Sequence, residues 1–159
     1  MKKFFCILTA MLLLSLSGCG ITTYYWEFQY SVDNVKEIKI VDIQKVGGAI
    51  DNEEDYTILK IVDEADYADI MDDIQTIGYY YPFVGSNPIN ANGPSIIIVF
   101  ESGEYDVISA TGPQHYKYSD EYERIVQQLS YDRCRDKEQY NQMIDKWLDG
   151  AETTEGQTE

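Results

Sequence analysis

The chain has 159 residues, enough for a single domain with its own core. Its 28 acidic residues outnumber 12 basic ones for a net charge of −16, and a field of that sign opposes binding to nucleic acid and to anionic lipid headgroups. With one histidine, His115, and none of the zinc spacings of paired Cys and His, the chain offers no metal site of several imidazoles.

Lys2 and Lys3 precede the thirteen-residue apolar run Phe4 to Leu16, and small residues lead from it into Cys19. A positive start, an apolar stretch and small residues are the layout of a removable export signal. Thirteen residues are too few to cross a hydrocarbon core, which needs about 20 at 1.5 Å each. Leu16-Ser17-Gly18-Cys19 resembles the lipobox of bacterial lipoproteins. The resemblance implies that residues 1–18 are removed as a signal peptide and that the Cys19 sulfur carries a diacylglyceryl group. It implies a lipid-anchored protein on the extracytoplasmic face of the cell membrane, with the bilayer as its first partner. Each buried methylene contributes about 0.8 kcal/mol, so several acyl chains hold such a protein durably.

Cys6 then leaves with the signal and Cys19 is taken by lipid, so Cys134 has no intramolecular partner and the domain rests on its core rather than on disulfides. Loss of Lys2 and Lys3 makes the mature chain two charges more negative.

From Tyr24 to Tyr30, Tyr24, Trp26, Phe28 and Tyr30 alternate with Tyr25, Glu27 and Gln29, which predicts a half-buried strand. Asp33-Asn34 suits a tight turn into a second strand, Lys36 to Ile43, hairpinned to the first. Gly47-Gly48 and the acidic stretch Asp51 to Asp55 read as an exposed loop before a third strand, Tyr56 to Val62. Asp63 stands at an N-cap position, Tyr67, Ile70, Met71, Ile74 and Ile77 follow at helical spacing, and Gly78 is the stop. Tyr79 to Phe83 is a short strand and Gly85 to Pro94 a loop.

Ser95 to Phe100 and Tyr105 to Ala110 flank Ser102-Gly103 as a hairpin, and the run Ile96 to Phe100 suggests a central strand buried on both faces. Gln114 to Tyr118 adds an edge strand. Capping pairs Asp120/Glu123 and Asp136/Gln139 open two C-terminal helices, one through Leu129 and one through Leu148. The expected fold class is α+β: a largely antiparallel sheet with one internal helix and two C-terminal helices packed on one face, as a single domain over residues 19–149. Residues 150–159 lack an apolar anchor and read as a disordered acidic tail.

For chemistry, the sharpest catalytic arrangement is a Cys134 and His115 dyad, with Arg133 and Arg135 able to lower the thiol pKa if they reach it. The competing reading makes Cys134 a small half-buried residue in a turn between two helices, and His115 a strand residue. Asp66, Asp69 and Asp73 share one helix face, which suits either a solvated surface or a calcium ion, although no EF-hand spacing is present. Among 14 tyrosines, Tyr79 and Tyr81 stand beside a Gly- and Asn-rich loop as rings for stacking on sugar or peptide, against the alternative of packing within a sheet. No phosphate-cradling glycine motif or Gly-x-Ser-x-Gly elbow is present.

The sequence therefore supports no enzyme class, no cofactor and no metal. The expected role is binding or interaction at the cell envelope, with a protein or an envelope polymer as partner. Beyond the lipobox, the domain resembles small uncharacterised lipoproteins of Gram-positive bacteria in layout only. The alternatives are an envelope enzyme using Cys134 and His115, or a small solute-capture lipoprotein of a transporter.

Overall fold

The computed structural model of the chain describes residues 22–44, 55–81, 93–122, 124–128 and 133–149. The strands are β1 (Thr23–Tyr25), β2 (Val35–Ile43), β3 (Tyr56–Ile61), β4 (Gly78–Tyr80), β5 (Gly93–Phe100), β6 (Tyr105–Ser109), β7 (Gly112–Ser119), β8 (Arg124–Gln128) and β9 (Arg133–Cys134). The helices are α1 (Tyr67–Gln75) and α2 (Lys137–Asp149). Six strands form one antiparallel sheet in the order β3-β2-β5-β6-β7-β8, and a smaller sheet runs β1-β4-β9. The fold is α+β with mostly antiparallel sheets.

Why the core sits where it does follows from β5. Successive side chains of a strand point to opposite faces, and its isoleucines divide accordingly. Ile96, Ile98 and Phe100 join Ile38 and Ile40 of β2 and Ile108 of β6 in one apolar cluster. The same cluster takes in Ile70 and Ile74 of α1, Tyr140 and Ile144 of α2, and Tyr79 and Cys134 of the smaller sheet. Ile97 faces the other way, with Val41, Ile43, Val107 and Tyr116. The central strand buried on both faces is thus present, flanked by β2 and β6.

The helices form where the apolar stripes predict. The chain enters α1 through a single 3-10 turn, Glu64–Asp66, and Asp63 makes no side-chain cap hydrogen bond there. Asp136 does cap α2: its Oδ1 accepts the backbone N–H of Glu138 and of Gln139, each at 3.0 Å. Gly103, at a φ of 85°, turns the β5–β6 hairpin as expected.

Four expectations are corrected. The alternation from Tyr24 to Tyr30 is real in burial, with Trp26, Phe28 and Tyr30 packed against the core, but only Thr23–Tyr25 is a strand. Its partner is β4, more than fifty residues on, not β2; the Asp33-Asn34 turn exists without a hairpin around it. β7 is an interior strand, because β8 occupies the edge. Where a helix from Asp120 is expected, Arg124–Gln128 is that strand, and among the described residues one helix, α2, follows β7. Tyr122, Ile125 and Val126 fit helical spacing, but the adjacent β-branched Ile125-Val126 pair also suits a strand, and the open edge of β7 supplies the hydrogen bonds. The leader and Cys19, residues 45–54 and 82–92 with most of the expected loops Asp51 to Asp55 and Gly85 to Pro94, Leu129 and residues 150–159 lie outside the described residues.

Candidate functional site

Three residues of the smaller sheet build the rim of a surface cleft. Pairing in β1 sets Tyr24 opposite Tyr79 and Tyr25 opposite Gly78. Tyr79 enters the core, while Thr23 and Tyr25 line a groove of about 490 Å³ together with Gly78, Arg135, Asp136 and Gln139. Gly78 is required there: a Cβ would lie 2.9 Å from Cγ2 of Thr23, so only glycine lets β1 come this close. Arg135 donates its backbone N–H to the Gly78 carbonyl at 2.9 Å and its guanidinium to the Thr23 hydroxyl. The last strand before α2 and the first strand of the domain are thereby fastened together.

A second compartment of about 230 Å³ shares Thr76 and Gln139 with the first and adds Asp73, Gln142 and Lys146. Gln139 Nε2 reaches the Thr76 carbonyl at 3.4 Å, which bridges the end of α1 to α2. Asp73 holds the far side: its Oδ2 accepts the indole N–H of Trp147 at 2.8 Å and the ammonium of Lys146 at 2.5 Å. Part of the acidic face of α1 therefore joins two helices rather than simply meeting solvent. Among the described residues, no group of three or more His, Cys, Asp or Glu is placed to hold a metal ion.

A buried polar network lies apart, on β6 and β7. Register sets Asp106 opposite His115, and the imidazole Nδ1 is 2.5 Å from Oδ1. Oδ2 of the same carboxylate accepts the indole N–H of Trp26 at 3.2 Å, and Tyr30 donates its hydroxyl to Glu104 at 2.5 Å. His115 Nε2 lies 3.8 Å from Glu104 and, among the described residues, has no hydrogen-bond partner. Burial pushes the Asp106 carboxyl up, and the hydrogen bonds from His115 and Trp26 oppose that rise. The arrangement ties the segment after β1 to the sheet. Its imidazole is buried, at 4% exposure.

The sequence-predicted residues part company. Cys134 lies in β9 opposite Tyr79, not in a turn between helices; its thiol donates to the Asp136 carbonyl at 3.4 Å. Burial pushes that thiol up, and neither neighbouring arginine contributes to the shift. No hydrogen bond joins it to His115, whose Nδ1 is on Asp106. Tyr79 is fully buried at 0% exposure, whereas Tyr81 is 58% exposed, so only Tyr81 presents its ring to solvent. Cys19 is outside the described residues.

Sequence reasoning missed the cleft. Its polar residues come from β1, the end of α1 and the start of α2, and no spacing in the chain marks them as neighbours. Gly78 between a helical stripe and a run of tyrosines was the one available signal. Among the described residues, no helix is long and apolar enough to cross a membrane. No protein-family model, curated protein or solved structure matches the chain.

Proposed function

We propose that the protein is an extracytoplasmic lipoprotein, held on the cell membrane by acylated Cys19 and acting by binding rather than catalysis, with the cleft beside β1 as its ligand site. The observation that carries this reading is Leu16-Ser17-Gly18-Cys19 directly after a short apolar run and two lysines. Support comes from the length of the tether: Thr23 is four residues beyond Cys19, a span of at most about 14 Å. A cleft lined by Thr23 then opens near the bilayer surface, where envelope polymers and proteins pass. Membership of the buried residues of α1 and α2 in one cluster supports keeping both helices on one face of the larger sheet. An enzyme built on Cys134 and His115 finds no support in a thiol raised by burial and an imidazole committed to Asp106.

The test is the mass of the mature N-terminus together with membrane fractionation. The parent should begin at an acylated Cys19, and Cys19→Ala should shed the protein into the medium or leave an uncleaved precursor in the membrane. An unmodified thiol, or an intact leader on a cytosolic product, refutes the anchor.

A further inference from the structure

The cleft beside β1 has a charge balance foreign to the rest of the chain. Arg135 and Asp136 line its first compartment, Lys146 and Asp73 its second, so two cations meet two carboxylates in a chain of net charge −16. A divalent cation calls for a surplus of carboxylate oxygens, and a phosphate or sulfate calls for a surplus of cationic donors. A balanced set favours neither. It suits a ligand that carries no charge but many hydrogen-bonding groups.

The uncharged polar side chains of the lining point the same way, beside the apolar Ile77 and Met143. Gln142 offers a donor and an acceptor, Gln139 keeps its carbonyl oxygen beside the Nε2 that reaches Thr76, and the Thr23 hydroxyl, which accepts from Arg135, keeps its own O–H to donate. Such paired groups match acetamido and hydroxyl substituents. Tyr25, at 57% exposure, lines the first compartment and provides a ring against which the apolar face of a pyranose packs. Thr76 and Gln139, hydrogen-bonded to each other, border both compartments, so a ligand of consecutive units would place one unit on either side of that bridge. Their volumes, about 490 and 230 Å³, are in the range of small-ligand sites when taken together.

We infer that the cleft binds an uncharged glycan chain of N-acetylated hexose units. Tyr25 stacks on one unit, Gln139 and Gln142 hydrogen-bond the acetamido groups, and Arg135 and Asp136, which line the same compartment, meet the hydroxyls. The inference rests on the cleft being the ligand site proposed above, and a tether of four residues brings that site to glycans at the membrane surface.

The full mature chain, extracted in detergent with its N-terminus intact, is titrated calorimetrically with a soluble β-1,4-linked tetramer of N-acetylglucosamine. Saturable binding is expected. Tyr25→Ala and Gln142→Ala, both at exposed positions, should each weaken it about tenfold. Tyr118→Ala, exposed on β7 outside the cleft, should leave it unchanged, and thermal melts matching the parent verify that all three variants fold. Absence of saturable binding overturns the inference, as does binding that both cleft substitutions leave intact or preferential binding of an uncharged peptide. The N-terminal mass is read on the same sample. An acylated chain that ignores the tetramer refutes the glycan and keeps the anchor, while an unacylated chain that binds it does the reverse.

Discussion

The His115 imidazole and the Asp106 carboxylate meet at 2.5 Å across β6 and β7, almost sealed from water at 4% and 1% exposure. Burial holds the Asp106 carboxyl above its ordinary value of 3.8. A group whose folded pKa is raised contributes stability that is present below the unfolded value and lost as pH rises through the folded one. Asp106→Asn removes that titration and keeps one oxygen to accept the Trp26 indole N–H, with the amide NH2 facing His115 Nδ1. The stability of the parent relative to this variant should therefore fall as pH climbs from below 4 towards neutrality, as read by urea unfolding at a series of pH values. A difference that is flat or rises with pH contradicts the burial-dominated shift.

Cys134 should be inert in the folded protein. At 6% exposure, with its thiol raised by burial, it has little thiolate to offer. A disulfide reagent should label the Cys134 peptide about a hundredfold more slowly in the native chain than in denaturant, because reaction waits on local opening. Comparable labelling rates would return the cysteine to the list of candidate nucleophiles.

Asp73 joins the two helices through Trp147 and Lys146. The Lys146 ammonium is 61% exposed and its ion pair contributes little, so most of the effect lies in the half-buried indole bond. Asp73→Ala should cost about 2 kcal/mol and lower the melting temperature by several degrees. Lys146→Ala should cost well under half as much. Calorimetric melts of the two variants check the ranking.

Two glycines should fail for different reasons. Gly103→Ala meets open space but keeps a φ of 85°, so it costs about 1 kcal/mol in conformation alone. Gly78→Ala drives a Cβ into Thr23, so it should shift β1 and disturb the cleft as well as stability. Amide exchange separates them: faster exchange in β1 and β4 is expected for the Gly78 variant only.

Local patterns carried much of this fold. The apolar runs of β2 and β5, the helical stripe of α1 and the Asp136 cap of α2 each lie within one short window of sequence, and each formed as expected. What escaped was pairing at a distance. β1 alternates like a strand that belongs to its neighbour, yet its hydrogen bonds go to β4, and nothing in residues 23–25 encodes that choice. β8 was misread because Tyr122, Ile125 and Val126 satisfy helical spacing, and the deciding factor was the free edge of β7. The site followed the same rule. Tyr79 looked like a ligand platform because its neighbours are tyrosines, whereas the groove is assembled from polar residues of three separate elements.

The pairing of β1 also has a mechanical side. Among the described residues, a tug delivered through the N-terminus first loads β1 at Thr23, and three residue pairs with β4 plus the Arg135 contact must resist it. The six-stranded sheet is loaded only after those let go, so under tension the protein should peel from its first strand, opening the cleft before the main core gives way.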